Sequence, residues 1–396
     1  MTRPPHEVAD IVRRHSDRFL ERHRAWLTSQ HRRVLRALVQ CRTAALGGHR
    51  DRCDQCAQPG FSYNSCRNRH CPKCLTAARH QWVAAREEEL LPVGYVHVVF
   101  TMPEVLARLA LVNKRVVYDL LFRAAAATLL QVAANPTRLG AAIGGLMVLH
   151  TWGQRLQHHP HIHCVVPAGG LAPDGARWVH ARPRFFLPIP VLRQVFRGKL
   201  VAGLREAFQQ GRLSFPGALA PLTADVAFRA FLRSLYRQRW VVYAKPPFGS
   251  PAHVLHYLAR YTHRVAISNH RLVEVTDDTV SFRWKDYRHG SQIRTLTVEA
   301  QEFLRRFLLH VLPKGFVRIR YFGILAPRCR THDLARCRQM LAAGASPAPA
   351  KAPVAARPRR TWPCPRCGGP MRVVERLTAC QLFLETVIAG VVYDTS

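Results

Sequence analysis

Two short cysteine pairs, Cys53-x-x-Cys56 and Cys71-x-x-Cys74, constrain this chain more than any other feature. A two-residue spacer lets both thiolates of one turn meet a single tetrahedral zinc, and a second such turn completes the four-ligand set. The spacing predicts a zinc ribbon held by Cys53, Cys56, Cys71 and Cys74. Cys41, His49, Cys66 and His70 fall in the same stretch, and their number allows a second zinc. The loop from Tyr63 to His70 is polar and basic, which suits a module that touches DNA through Arg67 and Arg69; the alternative is a purely structural module. A third pair, Cys364-Pro365-Arg366-Cys367, stands far downstream with only Cys380 after it, and reads as an incomplete half-site.

Charge narrows the partner. Lys and Arg number 59 against 24 Asp and Glu, a formal +35 over 396 residues. Such an excess repels itself unless a polyanion is present, and it points to nucleic acid. A hydrophobic content of 48% is enough to bury a substantial core. The charged N-terminus, Met1 to Arg14, does not read as a signal sequence, and no long apolar run is free of charges or breakers. A cytoplasmic location is expected, in which the twelve cysteines serve as metal ligands or reduced thiols.

Periodicity divides the chain. Residues 1–40 form a basic helical segment and 41–91 the zinc-binding domain, with a helix predicted over 76–91. Residues 92–330 alternate strands and helices. Tyr95 to Thr101 reads as a buried strand, about 104–134 as a long helix, and Leu146 to Trp152 as a strand leading into His158 to Val166. Strand, helix and strand hairpin make half of a ferredoxin-like α+β layer. A helical insertion is predicted at about 189–237 and a strand at Trp240 to Lys245, broken by Pro246-Pro247. Val265 to Ser268 reads as extended. Beyond it come a hairpin around Asp277-Asp278, presenting Arg283 and Lys285, and a helix over Glu299 to Val311. The Ala/Pro-rich 342–360 stretch reads as a flexible linker, and 361–396 as a short C-terminal segment.

Within this pattern the run His158-His159-Pro160-His161-Ile162-His163-Cys164 carries the chemistry. Side chains alternate along a strand, so His161 and His163 share one face while Ile162 and Cys164 point into the layer behind. Two adjacent imidazoles can grip one divalent cation. Tyr257 and Tyr261 lie four apart in a segment rich in helix formers, which puts both phenols on one helix face with Arg260, His263 and Arg264 nearby. A cation site, a phenol pair and a strongly basic chain together suit tyrosine attack on a phosphodiester. Gln154, His263 and Asn269 are candidates for a third metal ligand.

The quoted motifs, with Ser65-Cys66-Arg67-Asn68-Arg69-His70-Cys71, Thr151-Trp152-Gly153-Gln154 and Tyr257-Leu258-Ala259-Arg260-Tyr261, resemble the two-tyrosine HUH transposases of bacterial rolling-circle insertion sequences. The resemblance runs in motif order from about Cys41 to Ala326. It implies a ferredoxin-like HUH nuclease core behind a transposase zinc-binding domain. It also implies a single-strand DNA nuclease and strand transferase, in which Tyr257 and Tyr261 take turns as nucleophiles and His161 and His163 hold Mg²⁺ or Mn²⁺. Transposon ends as single-stranded DNA, and a host helicase or replication machinery, are the implied partners. Two alternatives stand beside it: a zinc-dependent DNA-binding regulator without catalysis, and a related HUH replication initiator or relaxase. The deaminase pattern needs His-x-Glu, and position 163 is His.

Overall fold

The central sheet is buried on both faces over most of its length. The computed structural model describes residues 4–74, 82, 89–248, 266–287, 289–342 and 362–388. Five strands pair antiparallel in the order Ile319–Gly323, Gly144–Trp152, His158–Pro167, Tyr95–Thr101, Val241–Phe248. The last four strands, with helices Lys114–Ala134 and Ile189–Gln209 between them in the chain, follow the strand-helix-strand-strand-helix-strand path of a ferredoxin-like layer. The Ile319–Gly323 strand extends the sheet at one edge. Gly145 leaves room on both sides: a Cβ there would meet the Phe322 ring of this strand at 2.9 Å and the carbonyl oxygen of Val165 on the other neighbour at 2.5 Å.

One sheet face is the core. Val98, Phe100, Ile162, Cys164 and Val166 are almost fully buried, in one cluster with Leu121, Leu129, Phe196 and Leu200 of the two helices. The Lys114–Ala134 helix is long and apolar enough to cross a membrane by composition, yet Val117, Tyr118, Leu121, Ala125 and Leu129 are wholly enclosed in this core. The predicted continuous helix over 104–134 is broken at Asn113. Its side-chain amide donates to the carbonyls of Leu109 (3.1 Å) and Ser214 (2.9 Å), and its side-chain oxygen accepts from the Ser214 N–H (2.7 Å). The Asn113 N–H still donates to the Leu109 carbonyl at 3.0 Å, and its non-helical backbone (φ −107°, ψ 41°) turns the chain between the two helices.

Two boundaries differ from expectation. Val241–Phe248 runs on through Pro246-Pro247. It is an edge strand, where a missing N–H need not interrupt a ladder. Ala266, at φ 53°, turns the chain into a bend, so the stretch before the Asn269–Arg271 turn is not a strand. The helices expected at 76–91 and 252–263 and the linker lie, except for Trp82 and Glu89 to Leu91, outside the described residues.

A second core joins the N-terminal helices to the 272–311 region. Helices Val8–Arg22 and Ser29–Gln40 pack Ile11, Phe19, Val34 and Leu38 against Phe282, Phe303 and Phe307 of the Leu272–Val275, Thr279–Asp286, Gln292–Glu299 sheet and its helix Ala300–Leu309. Thr28 caps the second helix by accepting from the His31 N–H at 3.3 Å. Asn269 is buried and its side-chain oxygen accepts from the Val8 N–H at 3.2 Å.

Two buried histidines tie these layers together in neutral form. His70 accepts the Leu312 N–H at Nε2 (3.2 Å), and His310 donates from Nε2 to the carbonyl of Leu156 (3.0 Å) with Nδ1 against the Thr151 hydroxyl (3.2 Å). Burial pushes both down to about 3 from an ordinary 6.5. The unfolded chain therefore takes up these protons first, so the contribution is whole above pH 6.5 and is lost as the pH falls toward 3. At about 1.4 kcal/mol per pH unit per group, the pair destabilises the fold by roughly 2 to 3 kcal/mol per unit on acidification. Denaturant unfolding at pH 7.5 and 5.5 checks this; equal midpoints would contradict it.

Candidate metal centres

The face opposite that core carries the histidines, beside a smaller apolar cluster that includes Leu146, Val148, Val165 and Leu334; His150 and His163 are buried and His161 is half-buried. Strand register sets His161 opposite His150 and Thr101, and His163 opposite Val148 and Val99. Directly paired residues point to the same side, so His150, His161 and His163 converge. Their ligand nitrogens all lie within 4.8 Å of one another, with ring centroids 4.3 Å (His150 and His163), 4.9 Å (His161 and His163) and 5.4 Å (His150 and His161) apart. The donor set fits a divalent cation. Nδ1 of His161 lies 2.7 Å from the carbonyl of His159, and Nδ1 of His163 lies 2.8 Å from Nε2 of His97. In metal sites such outer bonds fix the tautomer and turn the other ring nitrogen toward the ion. Burial pushes His161 down to about 4 and His163 well below its ordinary value, so both stay neutral at physiological pH, the form in which imidazole is a ligand.

Of the third ligands considered from sequence, Gln154 faces the neighbouring hairpin: its backbone carbonyl accepts from Arg271 (2.6 Å) and its side-chain oxygen from the Lys285 N–H (3.4 Å). Asn269 is committed to the N-terminal helix, and His263 lies outside the described residues. His150 is the residue that sequence reasoning missed. It sits two positions before Trp152 in a strand already predicted, but only the register of that strand against the histidine strand reveals it.

The cysteines group differently from the predicted ribbon. Cys41, Cys66, Cys71 and Cys74 form one cluster, and Cys53, Cys56, Cys364 and Cys367 another. The set Cys53, Cys56, Cys71 and Cys74 does not meet. The reason is the hairpin of Gly48–Cys53 and Pro59–Tyr63, which carries Cys53 and Cys56 at its tip while Cys41 and Cys66 flank its base. Five or six residues at about 3.4 Å each separate the two ends by roughly 17 Å. Nor does a Cys41, His49, Cys66, His70 site form. His49 lies against Asn64 (3.3 Å) and the ring of Trp362, and His70 is used as described above.

In the base cluster Sγ of Cys74 is 3.5 Å from both Cys41 and Cys66. Four sulfurs around zinc at about 2.3 Å stand about 3.8 Å apart, and a disulfide would be near ~2.05 Å. Hydrogen bonds from Cys41 and its neighbours hold Cys74 far below the usual thiol range, while the same contacts push Cys71 far above it. Four thiols this close cannot all ionise without a cation among them. Cys41 and Cys71 are buried in the N-terminal core, so this centre pins that core to the knuckle.

The basic candidates separate by exposure. Arg67, Arg283 and Lys285 are exposed, and Lys285 lies over the ring of Tyr287 at 5.3 Å. Arg69 turns inward and donates to the carbonyl of Phe316. Tyr257, Arg260, Tyr261 and Arg264 lie outside the described residues.

Three converging imidazoles on a ferredoxin-like sheet and a separate four-thiol cluster, in a chain of net charge +35, are the features of a metal-binding α+β protein suited to a polyanionic partner. Residues 11–102 match the family described as “Transposase zinc-binding domain” and residues 144–333 the family described as “Putative transposase”. The chain is 54% identical over 341 residues to “Putative transposase y4qJ” of Sinorhizobium fredii, covering 86% of this chain and 85% of that one. It is 30% identical over 297 residues to the “Transposase for insertion sequence element IS801” of Pseudomonas savastanoi pv. phaseolicola, covering 74% and 69%. No solved structure matches it significantly. The chain belongs to the two-tyrosine transposase family of bacterial insertion sequences, of the IS91 and IS801 type.

Proposed function

We propose that this transposase cuts and rejoins single-stranded DNA through covalent tyrosine intermediates, with Tyr257 and Tyr261 as alternating nucleophiles and His150, His161 and His163 as ligands of a divalent cation. The observation that carries the reading is the convergence of three imidazoles on one face of the central sheet. When bound there, Mn²⁺ or Mg²⁺ supplies charge stabilisation to a phosphate oxygen worth several kcal/mol.

A phenol has a reference pKa near ~10 and is mostly neutral in the cell, and a nearby positive charge favours the phenolate. The phenolate oxygen of one tyrosine attacks phosphorus, and the bond from phosphorus to the 3′ oxygen breaks. That oxygen leaves with a proton as a free 3′-OH, while the 5′ end stays on the protein as phosphotyrosine. The second tyrosine repeats the step on the target strand, and each 3′-OH can then displace a tyrosine to join the new strands. The energy of the phosphodiester is retained, so rejoining needs no nucleotide hydrolysis. This exchange is the chemistry of rolling-circle transposition.

Arg67, Arg283 and Lys285, with Arg260 and Arg264, are the proposed DNA contacts. The cation and ring mixture at Lys285 and Tyr287 suits unpaired bases and phosphates. The sequence has no Gly-x-x-x-x-Gly-Lys-Ser/Thr loop, so unwinding of transposon ends falls to host machinery. The test is incubation with a labelled, hairpin-bearing single strand and Mn²⁺. Tyr257→Phe and Tyr261→Phe should each reduce covalent trapping, and the double variant should abolish it. Undiminished adduct in the double variant would overturn the assignment.

A further inference from the structure

The sequence leaves Cys364-x-x-Cys367 as half a site, and the hairpin tip leaves Cys53-x-x-Cys56 as another; the fold brings the halves together. Sγ of Cys53 lies 3.5 Å from Sγ of Cys367, and Sγ of Cys56 lies 3.7 Å from Sγ of Cys364. These separations fit the edge of a tetrahedral zinc thiolate site, about 3.8 Å, and are too long for disulfides.

The two turns are built alike. The Cys53 N–H donates to the carbonyl of Gln58 (3.0 Å) and the Ala57 N–H to the carbonyl of Cys53 (3.1 Å). The Cys364 N–H donates to the carbonyl of Gly369 (2.7 Å) and the Gly368 N–H to the carbonyl of Cys364 (2.9 Å). In both, the residue after the second cysteine takes a left-handed conformation, Ala57 at φ 57° and Gly368 at φ 74°. Alanine disfavours that region, so the first turn carries strain that a bound ion would offset. Backbone N–H groups of Gln55 and Gly369 point at Cys53 and Cys367 sulfurs, each at 3.4 Å, as donors that favour thiolates.

The strand after the second knuckle seats the whole segment. Pro370–Leu377 pairs antiparallel with Gly48–Cys53, and Arg50 binds Glu375 at 2.6 Å, with Arg372 on Asp54 at 2.6 Å. Such surface pairs contribute little on their own. Glu385 also binds Arg50 at 3.0 Å, and Met371, Leu377 and Leu382 are buried, so the segment that returns from residue 342 already has a small apolar seat at the hairpin.

We propose that Cys53, Cys56, Cys364 and Cys367 form a second zinc centre, which staples the C-terminal segment to the tip of the N-terminal zinc hairpin. The transposase then carries two structural zincs per chain, one at each end of the hairpin, and the second closes the polypeptide into a loop. Its ligands come from segments about three hundred residues apart, so metal binding here joins chain ends, whereas the base centre orders a local module.

Cysteine accessibility supplies a test on the unaltered full chain. Cys367 and Cys380 are both solvent-exposed. On brief alkylation with mapping by mass spectrometry, Cys380 should label at once while Cys367 is protected at least tenfold, and a zinc chelator should abolish the difference. Metal analysis should give two zincs per chain, falling to one in Cys364→Ser/Cys367→Ser and returning to two in Cys367→His, where imidazole replaces one thiolate. Equal labelling of Cys367 and Cys380 before chelation would overturn the proposal. So would one zinc in the unaltered chain, or two in the double serine variant.

Discussion

His150→Ala is expected to lower metal-dependent cleavage of a hairpin-bearing single strand by about 10²- to 10³-fold, corresponding to the loss of roughly 3 to 4 kcal/mol of charge stabilisation. The residue supplies one of three nitrogens that lie within 4.8 Å of one another, and the remaining two hold a cation less tightly. The concentration of Mn²⁺ needed for half-maximal cleavage should therefore rise, and saturating Mn²⁺ should restore part of the rate. His150 is 3% exposed, so its truncation leaves a cavity that costs about 1 to 3 kcal/mol of stability; thermal unfolding of the variant separates this from the catalytic loss. Gln154→Ala is the matched control. That side chain faces the Lys285 hairpin, and its loss should leave the Mn²⁺ dependence unchanged. If His150→Ala cleaves with normal Mn²⁺ dependence while Gln154→Ala does not, the three-histidine site is wrong.

The second large effect is expected at the base of the zinc hairpin. Cys71→Ser should remove the zinc held with Cys41, Cys66 and Cys74 and loosen the whole N-terminal layer. Structural zinc in small modules contributes on the order of 10 kcal/mol. Cys41 and Cys71 also belong to the apolar cluster that holds Val8, Phe19, Val34 and Leu38 against Phe282 and Phe303. Hydrogen exchange should rise across residues 8–40 and reach the Thr279–Asp286 strand, because the same core serves both. In Cys364→Ser the increase should stay at the hairpin tip and the C-terminal strand. Unchanged protection of residues 8–40 in a zinc-free Cys71→Ser protein would show that apolar packing alone secures this layer.

The contrast between these centres shows where sequence reading stops. Cys-x-x-Cys spacing is local information: it says that two thiolates of one turn share a metal, and both front knuckles obey it. Which two knuckles share the same metal depends on the length of the hairpin that separates them. Cys53 and Cys56 sit about five residues out along a hairpin with Cys41 and Cys66 at its base, so they cannot reach Cys71 and Cys74. Their partners come from a pair that sequence alone read as a fragment. The inward turn of Arg69 and the commitment of Asn269 to the first helix were hidden for the same reason, since both bond to residues more than two hundred positions away.

The histidine face divides the same way. Period-two alternation placed His161 and His163 together and sent Ile162 and Cys164 into the core, where both are fully buried. That result follows from the geometry of a single strand, as do the Tyr95–Thr101 strand and the Ile189–Gln209 helix that covers the core. His150 joins them through pairing across two strands, and the five-residue turn from Gly153 to Gln157, with Leu156 at φ 64°, fixes that register. What the sequence alone determined was most of the core strands and helices, their buried faces and the kind of ligand each offers, because these depend on contacts within a few residues. Tertiary structure decided which ligands share an ion. Coordination joins atoms brought together by strand register and hairpin length, and those distances are set only when the chain has packed.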